Sequence, residues 1–463
     1  MIDAAVSVAA GAFAGYAVVT ALGGLAVALS AAWLVLRHGR ELSVGARDAA
    51  FAGRAVPPVS VVLTATDGDE DIGERLDALA GLDYPAFELV VVSNGPIAPD
   101  LARAMARLHA QAVDLIYRPL IKTGRVTGCY HSPIASNLVV IEKERGSIAD
   151  ALNAGINAAR SPYVCLVEPR TWLDRSALTR LMGPVVVDPA RVALTAGVAR
   201  VLNGSSVRDG DVAVGRCSSH PAVAWSVLAG LRGALLAAGA SPMLGAGVGP
   251  RGAVLVHRKE ALRLEGVPPD GTAEDLAVLP WTRAGLRSAF VPLPVAWTVA
   301  PATFAGLAAA HRLRAAAAVG SLRALWSGEQ RRQTHGVIRH AARLIRHAGT
   351  LGAPLDLAAL IVVSAAFGLG VCDFSVLLAV WISVLVGRTA ASSAAILLHD
   401  VTPKRYPSSW DVAKLFLAAV FDLTLGRLLA LWWTVSAAPR RRRVGPPPVS
   451  TSTPTPATAE TGG

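Results

Sequence analysis

The chain has 463 residues, of which 53% are hydrophobic, with a mean hydropathy of +0.46 and a formal net charge of +11. These values are typical of a membrane protein with a substantial cytosolic domain, and an anionic leaflet accounts for the basic excess. They argue against a nucleic-acid-binding protein, because no recognition motif or interleaved aromatic patch accompanies the basic residues. The four cysteines have neither the spacing of a zinc site nor that of a secreted disulfide framework, so we expect ordinary reduced thiols. They are Cys129, Cys165, Cys217 and Cys372.

Residues 4–36 are uncharged and strongly apolar, which is more than the roughly 20 residues that a membrane-spanning helix needs. No Lys or Arg precedes this segment, whereas four arginines follow it, namely Arg37, Arg40, Arg47 and Arg54. We therefore predict a transmembrane helix over 1–36, with the N-terminus outside and the next domain in the cytosol. A cleaved signal peptide is not expected, because there is no basic leader and the apolar stretch is too long.

Residues 55–320 alternate short apolar runs with helical patterns, which predicts an α/β domain. The runs 60–63 and 89–92 suit buried parallel strands, and helical segments at 70–82 and 101–111 separate them. Ligands of such sheets sit beyond the carboxyl ends of the strands. We therefore expect binding groups in the turns that follow these strands.

The segment 137–174 reads NLVVIEKERGSIADALNAGINAARSPYVCLVEPRTWLD. The pattern predicts a strand, a glycine turn, a helix, a strand and then an acidic turn at Glu168, Pro169 and Arg170. Ser147 and Asp150 fit a capping box at the start of the helix. Further along, the sequence TAED places Glu274 and Asp275 where the positive end of a helix dipole would favour acids.

The segment 321–350 is predicted to be a basic amphipathic helix on the inner leaflet, a solvated charged helix being the alternative. Two apolar stretches, 355–372 and 374–398, predict a transmembrane hairpin that turns on the outside. Arg388 interrupts the second stretch, and snorkelling, a polymer path or pairing with Asp422 would each explain it.

The last helix, 408–436, carries Asp422 and Arg427 near its middle, and burying both in hydrocarbon would be costly. We therefore predict that this helix lies in the membrane interface. Residues 439–463 are basic and then Pro/Thr-rich, with too little apolar surface to fold, and predict a disordered cytosolic tail.

The order and spacing of these motifs resemble the membrane-integrated family 2 glycosyltransferases, which include the processive polysaccharide synthases. The resemblance covers nearly the whole chain and is carried by VSVVLTATDGDED, YPAFELVVVSNGP, GCYHSPIASNLVVIEKERGSIADALNAGI, GAVLVHRKEAL and TAEDLAVLPWTRAGLRSAFVP. It implies a nucleotide-sugar-binding glycosyltransferase A-type domain with transmembrane helices on both sides, in the plasma (inner) membrane. The implied reaction moves a hexose with inversion from a nucleotide sugar to a polysaccharide or lipid-linked acceptor. Implied partners are membrane lipids and other glycan-assembly proteins.

The resemblance also implies a nucleotide-sugar site. The family holds the base and ribose at the ends of its first two strands, and those places fall on Asp67, Ser93 and Asn94; a plain turn at SNGP is the other interpretation. Asp150 and Asn153 match residues that face the diphosphate and sugar. The Gly-Gly-Lys run that precedes them in the family is replaced by Gly146, Ser147 and Ile148.

The family uses an Asp-x-Asp after its fourth strand to bind a divalent ion, and here those positions are Glu168 and Arg170. Magnesium or manganese would retain one carboxylate ligand, Glu168. Two outcomes stay open. The Arg170 guanidinium neutralises the diphosphate in place of the metal, or the site no longer binds donor productively.

Two further family signatures concern the acceptor. Glu274 and Asp275 match its acidic pair, which makes Asp275 the implied general base. A Gln-x-x-Arg-Trp signature falls on residues 311–315, where Arg312 and Arg314 could reach a phosphate or a lipid headgroup. Two functions follow from these departures: an atypical glycosyltransferase, or a non-catalytic partner subunit of envelope-glycan assembly.

Overall fold

The structure is a computed structural model, and it describes residues 2–41, 56–66, 71–114, 119–208, 211–244, 252–268, 271–277, 285–326, 336–401 and 406–436. An α/β domain occupies the middle of the chain, and long apolar helices lie on both sides of it in sequence. The predicted α/β class is confirmed.

The strands are β1 (Val59–Ala65), β2 (Phe87–Asn94), β3 (Gln111–Ala112), β4 (Val126–His131), β5 (Leu138–Lys143), β6 (Tyr163–Val167), β7 (Thr171–Leu173), β8 (Val192–Val201), β9 (Ser206–Arg208), β10 (Asp211–Ala213), β11 (Ala253–His257) and β12 (Arg287–Thr298). Ten of them form one sheet in the order β3-β4-β5-β2-β1-β6-β11-β8-β12-β7, and β9 pairs with β10. Strands β5, β2, β1 and β6 are mutually parallel. Their carboxyl ends therefore meet along one edge, as predicted.

The helices are α1 (Ile2–Glu41), α2 (Ile72–Ala80), α3 (Pro99–Arg107), α4 (Ile148–Ala158), α5 (Ala177–Val187), α6 (Pro221–Leu244), α7 (Arg258–Arg263), α8 (Ala273–Ala277), α9 (Phe304–Trp326), α10 (Gly336–Gly368), α11 (Phe374–Val401), α12 (Ser409–Phe421) and α13 (Arg427–Ser436). A π-helical turn, Asp422–Gly426, joins α12 to α13.

Both faces of the sheet are covered, because alternate residues of the buried strands point to opposite sides. Val61 and Leu63 of β1 pack with residues of α2, α3 and α5 on one face. Val62, between them, packs with α4 on the other face. The helix approaches closely there, since a Cβ placed on Gly155 would lie 2.2 Å from Val62 Cγ1.

Five helical stretches are long and apolar enough to cross a membrane, and they lie within α1, α6, α10, α11 and the continuous α12–α13 helix. Helix α6 was not predicted from the sequence, and it packs against the sheet strands β8 and β12 as well as against other apolar helices. The predicted interfacial helix 321–350 is not a separate element: residues 321–326 end α9, residues 327–335 lie outside the described residues, and residues 336–350 continue within α10 into the first apolar stretch of the hairpin. Whether α12–α13 crosses the membrane or lies at its surface stays a prediction, and the predicted tail lies outside the described residues.

The contacts of Arg388 differ from those considered from the sequence, which were snorkelling, a polymer path or pairing with Asp422. Arg388 Nε donates to Asp356 Oδ2 at 2.6 Å, so the side chain is paired inside the protein and does not rely on snorkelling. Asp422, the partner considered from sequence, instead accepts from Arg232 Nη1 at 2.5 Å. Asp356 was not recognised as a partner because it lies 32 residues earlier in the chain, on a neighbouring helix.

Candidate functional site

The carboxyl ends of β2 and β5 are joined by Asn94. Its Nδ2 donates to the Gly146 carbonyl at 2.9 Å, and its Oδ1 accepts from the Gly146 N–H at 2.8 Å. This side chain therefore fixes the glycine turn that precedes α4. Asn94 lies at the predicted edge of the sheet, with its amide engaged by backbone.

Asp150 lies in the same network. Its Oδ2 forms an ion pair with Lys143, whose side chain is fully buried, and its Oδ1 accepts from the Gly124 N–H at 2.9 Å. The Asp150 backbone N–H donates to Ser147 Oγ at 3.1 Å. Half of the predicted capping box is thus confirmed, while the Asp150 carboxylate serves Gly124 and Lys143.

Lys143 is a site residue that the sequence analysis missed. It ends the apolar strand β5, and its Nζ also lies 3.4 Å from Asn94 Oδ1 and 2.5 Å from the Glu144 carbonyl. A lysine at the carboxyl end of a buried parallel strand was the available signal. The Gly-Gly-Lys run of the resembling family has no lysine here, but Lys143 places a positive charge beside the same turn.

Ser93 takes part in a turn. It is buried, and its Oγ donates to the Gly95 carbonyl at 3.1 Å. Gly95 has φ = +115°, a conformation that glycine adopts without steric cost. The structure therefore agrees with the turn interpretation of SNGP for Ser93. Asp67, proposed for the end of the first strand, lies outside the described residues.

The turn after β6 carries Glu168 and Arg170. The Glu168 N–H donates to the Gly252 carbonyl at 2.9 Å, which ties the turn to the residue preceding β11. Arg170 is exposed and has φ = +57°, in the left-handed region that non-glycine residues seldom occupy. Holding a bulky residue there costs free energy, and such strain clusters at functional sites.

The residues of this turn do not fit a divalent-ion site of the family's type. A guanidinium stands where the second carboxylate would be, and cations do not coordinate a metal ion. In the part of the chain that the structure describes, no group of three or more His, Cys, Asp or Glu side chains could hold a metal. Glu168 remains a single acidic residue at this position.

Asn153 connects α4 to the segment that leads into α8. Its Nδ2 donates to the Val267 carbonyl at 2.9 Å, and its Oδ1 accepts from the Val267 N–H at 2.7 Å. Gly266 has φ = +74°, and a Cβ there would lie 2.2 Å from Asn153 Oδ1. Asn153 is 6% exposed, so its role in this structure is to clamp backbone.

Asp275 lies in the first turn of α8. Its Oδ2 accepts from the Thr272 N–H at 2.7 Å and from Thr272 Oγ1 at 3.3 Å, which is the geometry of a helix cap. The helix packs against β8 and β11, and β11 is the strand beside β6. Glu274 belongs to the same helix, and its side chain lies outside the described part of the structure.

The residues aligned with Gln-x-x-Arg-Trp lie on α9 and contact the last helix. His311 Nε2 lies 3.1 Å from Thr434 Oγ1, and Arg312 Nε donates to Ser436 Oγ at 3.1 Å. Arg314 Nε donates to the Ala310 carbonyl at 3.1 Å. Burial, with a further contribution from the Arg314 charge, lowers the pKa of His311 to about 4. These contacts join α9 to α13.

A buried acid below the Glu168 turn was also missed. Asp174 Oδ1 lies 3.2 Å from Arg180 Nη1, and its Oδ2 accepts from Trp297 Nε1 at 3.4 Å. Arg200 lies over the Trp297 ring at 5.9 Å, and burial lowers the pKa of this guanidinium to about 10. Because Asp174 directly follows β7, this cluster supports the strand that leaves the turn.

Among solved structures, the chain is similar to the mannosyltransferase PcManGT from Pyrobaculum calidifontis in complex with GDP-Man and Mn²⁺, with 19% identity, 90% of this chain and 99% of that chain covered, and a TM-score of 0.44. It is also similar to residues 1–349 of TarS from S. aureus, with 15% identity and a TM-score of 0.37, where the match covers 82% of this chain and 92% of that chain. A third similar structure is glucosyl-3-phosphoglycerate synthase from Mycobacterium tuberculosis, with 20% identity and a TM-score of 0.32, where the match covers 55% of this chain and 75% of that chain. No protein-family model matches the sequence, and a search of curated proteins finds no match.

Proposed function

We propose that this protein is a membrane-bound glycosyltransferase that moves a hexose, with inversion, from a nucleotide sugar to a polysaccharide or lipid-linked acceptor. The observation that carries the proposal is Arg170, an exposed guanidinium held at φ = +57° on the turn where the fold presents its ligands.

In the proposed reaction, the acceptor hydroxyl attacks the anomeric carbon and its proton passes to Asp275. The bond between the anomeric carbon and the diphosphate oxygen breaks at the same time, and the nucleoside diphosphate leaves. Arg170 stabilises the charge that develops on the diphosphate, because a guanidinium binds phosphate oxygens through two parallel hydrogen bonds. Asn153 positions the chain that carries Asp275 through its two bonds to Val267.

A second candidate is a non-catalytic partner subunit that retains the fold and the membrane helices. One set of observations favours it: the polar groups of Asn94, Asp150, Asn153 and Asp275 are engaged by the protein's own backbone and side chains. A donor would have to exchange some of these hydrogen bonds for its own.

The deciding experiment measures donor hydrolysis and sugar transfer by the purified protein against a panel of UDP- and GDP-sugars, with and without EDTA. The proposal expects transfer that survives chelation and is lost in Arg170→Ala and in Asp275→Asn. Arg160→Ala is the matched control, because this exposed arginine precedes the amino end of β6, at the opposite edge of the sheet. Donor binding without turnover, unchanged by Asp275→Asn, would instead establish the partner role.

A further inference from the structure

Five charged side chains of the described residues meet between the apolar helices, and we call this set the helix charge cluster. The members come from α6, α10, α11 and the continuous α12–α13 helix, each of which is long and apolar enough to cross a membrane. They are Arg232, Asp356, Arg388, Asp422 and Arg427. Charged groups in helices of this kind are rare, pair with one another, and mark substrate, ion or proton sites.

Asp356 uses both carboxylate oxygens inside this cluster. Its Oδ1 accepts from the Tyr16 hydroxyl of α1 at 3.1 Å, and its Oδ2 accepts from Arg388 Nε at 2.6 Å. Arg427 Nη1 lies 3.8 Å from the same Oδ2, which is an ion-pair distance beyond hydrogen-bond range. Asp356 is therefore committed to Arg388, with Arg427 as a distant second partner.

Asp422 is committed in the same way. Its Oδ1 accepts from Trp225 Nε1 at 2.6 Å, and its Oδ2 accepts from Arg232 Nη1 at 2.5 Å. Arg232 also donates to Ser392 Oγ, from Nη2 at 2.6 Å and from Nε at 3.1 Å. The second carboxylate and its arginine thus form a direct ion pair, and the hydrogen bonds of Asp422 go to Trp225 and Arg232.

The cluster has three guanidinium groups and two carboxylates, which leaves one positive charge. Among the described residues, Arg427 has one ion-pair contact with a carboxylate, the 3.8 Å contact with Asp356 Oδ2. The Arg427 side chain is only 6% exposed. An excess charge so removed from water is costly, and a bound anion would offset that cost. The excess therefore points to an anionic ligand.

The position of the cluster limits what that anion can be. Arg388 lies fourteen residues beyond the start of α11, roughly 21 Å along the helix, and Asp356 lies twelve residues before the end of α10, roughly 18 Å. The hydrocarbon core is about 30 Å thick. Asp356 and Arg388 would thus lie past the middle of the core, on the side away from the 369–373 turn. A soluble anion would have to leave water to reach it, whereas a lipid phosphate needs only to enter from the headgroup layer.

Arg388 supplies the way in. Its side chain is 30% exposed, while Asp356 beside it is 2% exposed. Gly352 makes room on one side, since a Cβ there would lie 2.3 Å from Arg388 Nη2. An anion that approaches over Arg388 would meet its remaining N–H donors, and the Arg427 guanidinium lies nearby because both arginines contact the same Asp356 Oδ2.

We propose that the helix charge cluster binds the phosphate group of an anionic membrane lipid through Arg388 and Arg427. Guanidinium groups suit this ligand, because their planar fork matches two phosphate oxygens. The proposal is independent of the transfer reaction proposed above, and it holds for an active enzyme and for a partner subunit alike.

The test counts lipids bound to the purified full chain in detergent by native mass spectrometry, with phosphatidic acid, phosphatidylcholine or inorganic phosphate added. We expect one phosphatidic acid to bind per chain in preference to phosphatidylcholine. In Arg427→Met, the affinity for phosphatidic acid should fall by about tenfold or more. Arg427→Met removes the excess charge and leaves two arginines opposite two aspartates. Arg103→Met, at an exposed arginine of α3, is the matched control and keeps the binding.

Three outcomes would overturn the proposal. The first is equal occupancy by phosphatidic acid and phosphatidylcholine in the wild-type protein, which can be read even where Arg427→Met fails to fold. The second is unchanged phosphatidic acid binding in a folded Arg427→Met protein. The third is displacement of the lipid by inorganic phosphate at equal concentration, which would identify a site for a free anion.

Discussion

Asp275 Oδ2 accepts a hydrogen bond from the Thr272 N–H at 2.7 Å, so the carboxylate proposed as general base also caps the short helix that carries it. The two roles have different chemical requirements. A cap needs an oxygen acceptor, which asparagine retains, whereas a base needs a group that takes a proton at neutral pH. Substitutions at this residue can therefore separate structure from chemistry.

Asp275→Asn is expected to lower the transfer rate by about 100-fold or more while leaving the melting temperature close to that of the wild type. Asp275→Ala should lose activity equally and should also lose the cap, which is worth about 1 kcal/mol. Single-turnover transfer assays and thermal unfolding in detergent measure the two effects. Equal activity in Asp275→Asn and wild type would exclude Asp275 as the base.

Arg170→Gly tests the strained turn. Glycine adopts φ = +57° at little cost, so this variant should be more stable by about 1 kcal/mol, while donor binding weakens because the guanidinium is gone. Stability measured by denaturant unfolding and donor affinity measured by calorimetry should thus move in opposite directions. Unchanged donor affinity would show that Arg170 does not contact the diphosphate.

Arg170→Asp is a separate substitution that restores a second carboxylate beside Glu168. It should make donor binding depend on Mg²⁺ or Mn²⁺ and abolish it in EDTA, since hard divalent ions prefer carboxylate oxygens. The measurement is donor affinity across a metal titration, with Arg160→Asp as the control for the charge change. If the affinity of Arg170→Asp did not respond to metal, Glu168 would be excluded as a ligand.

The sequence predicted the parallel strands and the cap of α4 well, because both depend on local patterns. The stretch 60–63 lies within β1, and Ser147 accepts from the Asp150 N–H as expected. Lys143 and Asp174 were missed because their partners come together only in the folded chain. The same reason explains Arg388: Asp422 was the carboxylate partner considered from the sequence, whereas Asp356 is the partner in the folded chain.

His311 predicts a stability change with pH. Its pKa is about 4 in the folded protein, against about 6.5 in the unfolded chain, so the unfolded state binds more protons between these values. The free energy of unfolding should therefore fall as the pH drops from about 6.5 to 4, by up to about 3 kcal/mol, and this contribution should level off below 4. His311→Gln should flatten that slope in thermal unfolding measured across this pH range. An identical slope in the variant would mean that other groups cause it.

Gly155 allows α4 to approach β1, and this predicts the cost of adding one methyl group. A Cβ on this residue would lie 2.2 Å from Val62 Cγ1 and 3.1 Å from Val62 Cγ2, so Gly155→Ala should destabilise the fold by about 1–3 kcal/mol. The control is Gly233→Ala in α6, where no described atom outside the helix's own backbone lies within 4 Å of the added Cβ and the better helix former should add up to about 1 kcal/mol.

Val62→Ala provides the complementary change, because it removes the two methyl groups that Gly155→Ala would strike. The double variant should lose less stability than the sum of the two single losses, since the new alanine occupies the space that Val62 vacates. Denaturant unfolding of the four proteins gives the coupling free energy directly. Strictly additive losses would show that the helix shifts away from the strand, and the close contact of α4 with β1 would then not be what requires glycine at this position.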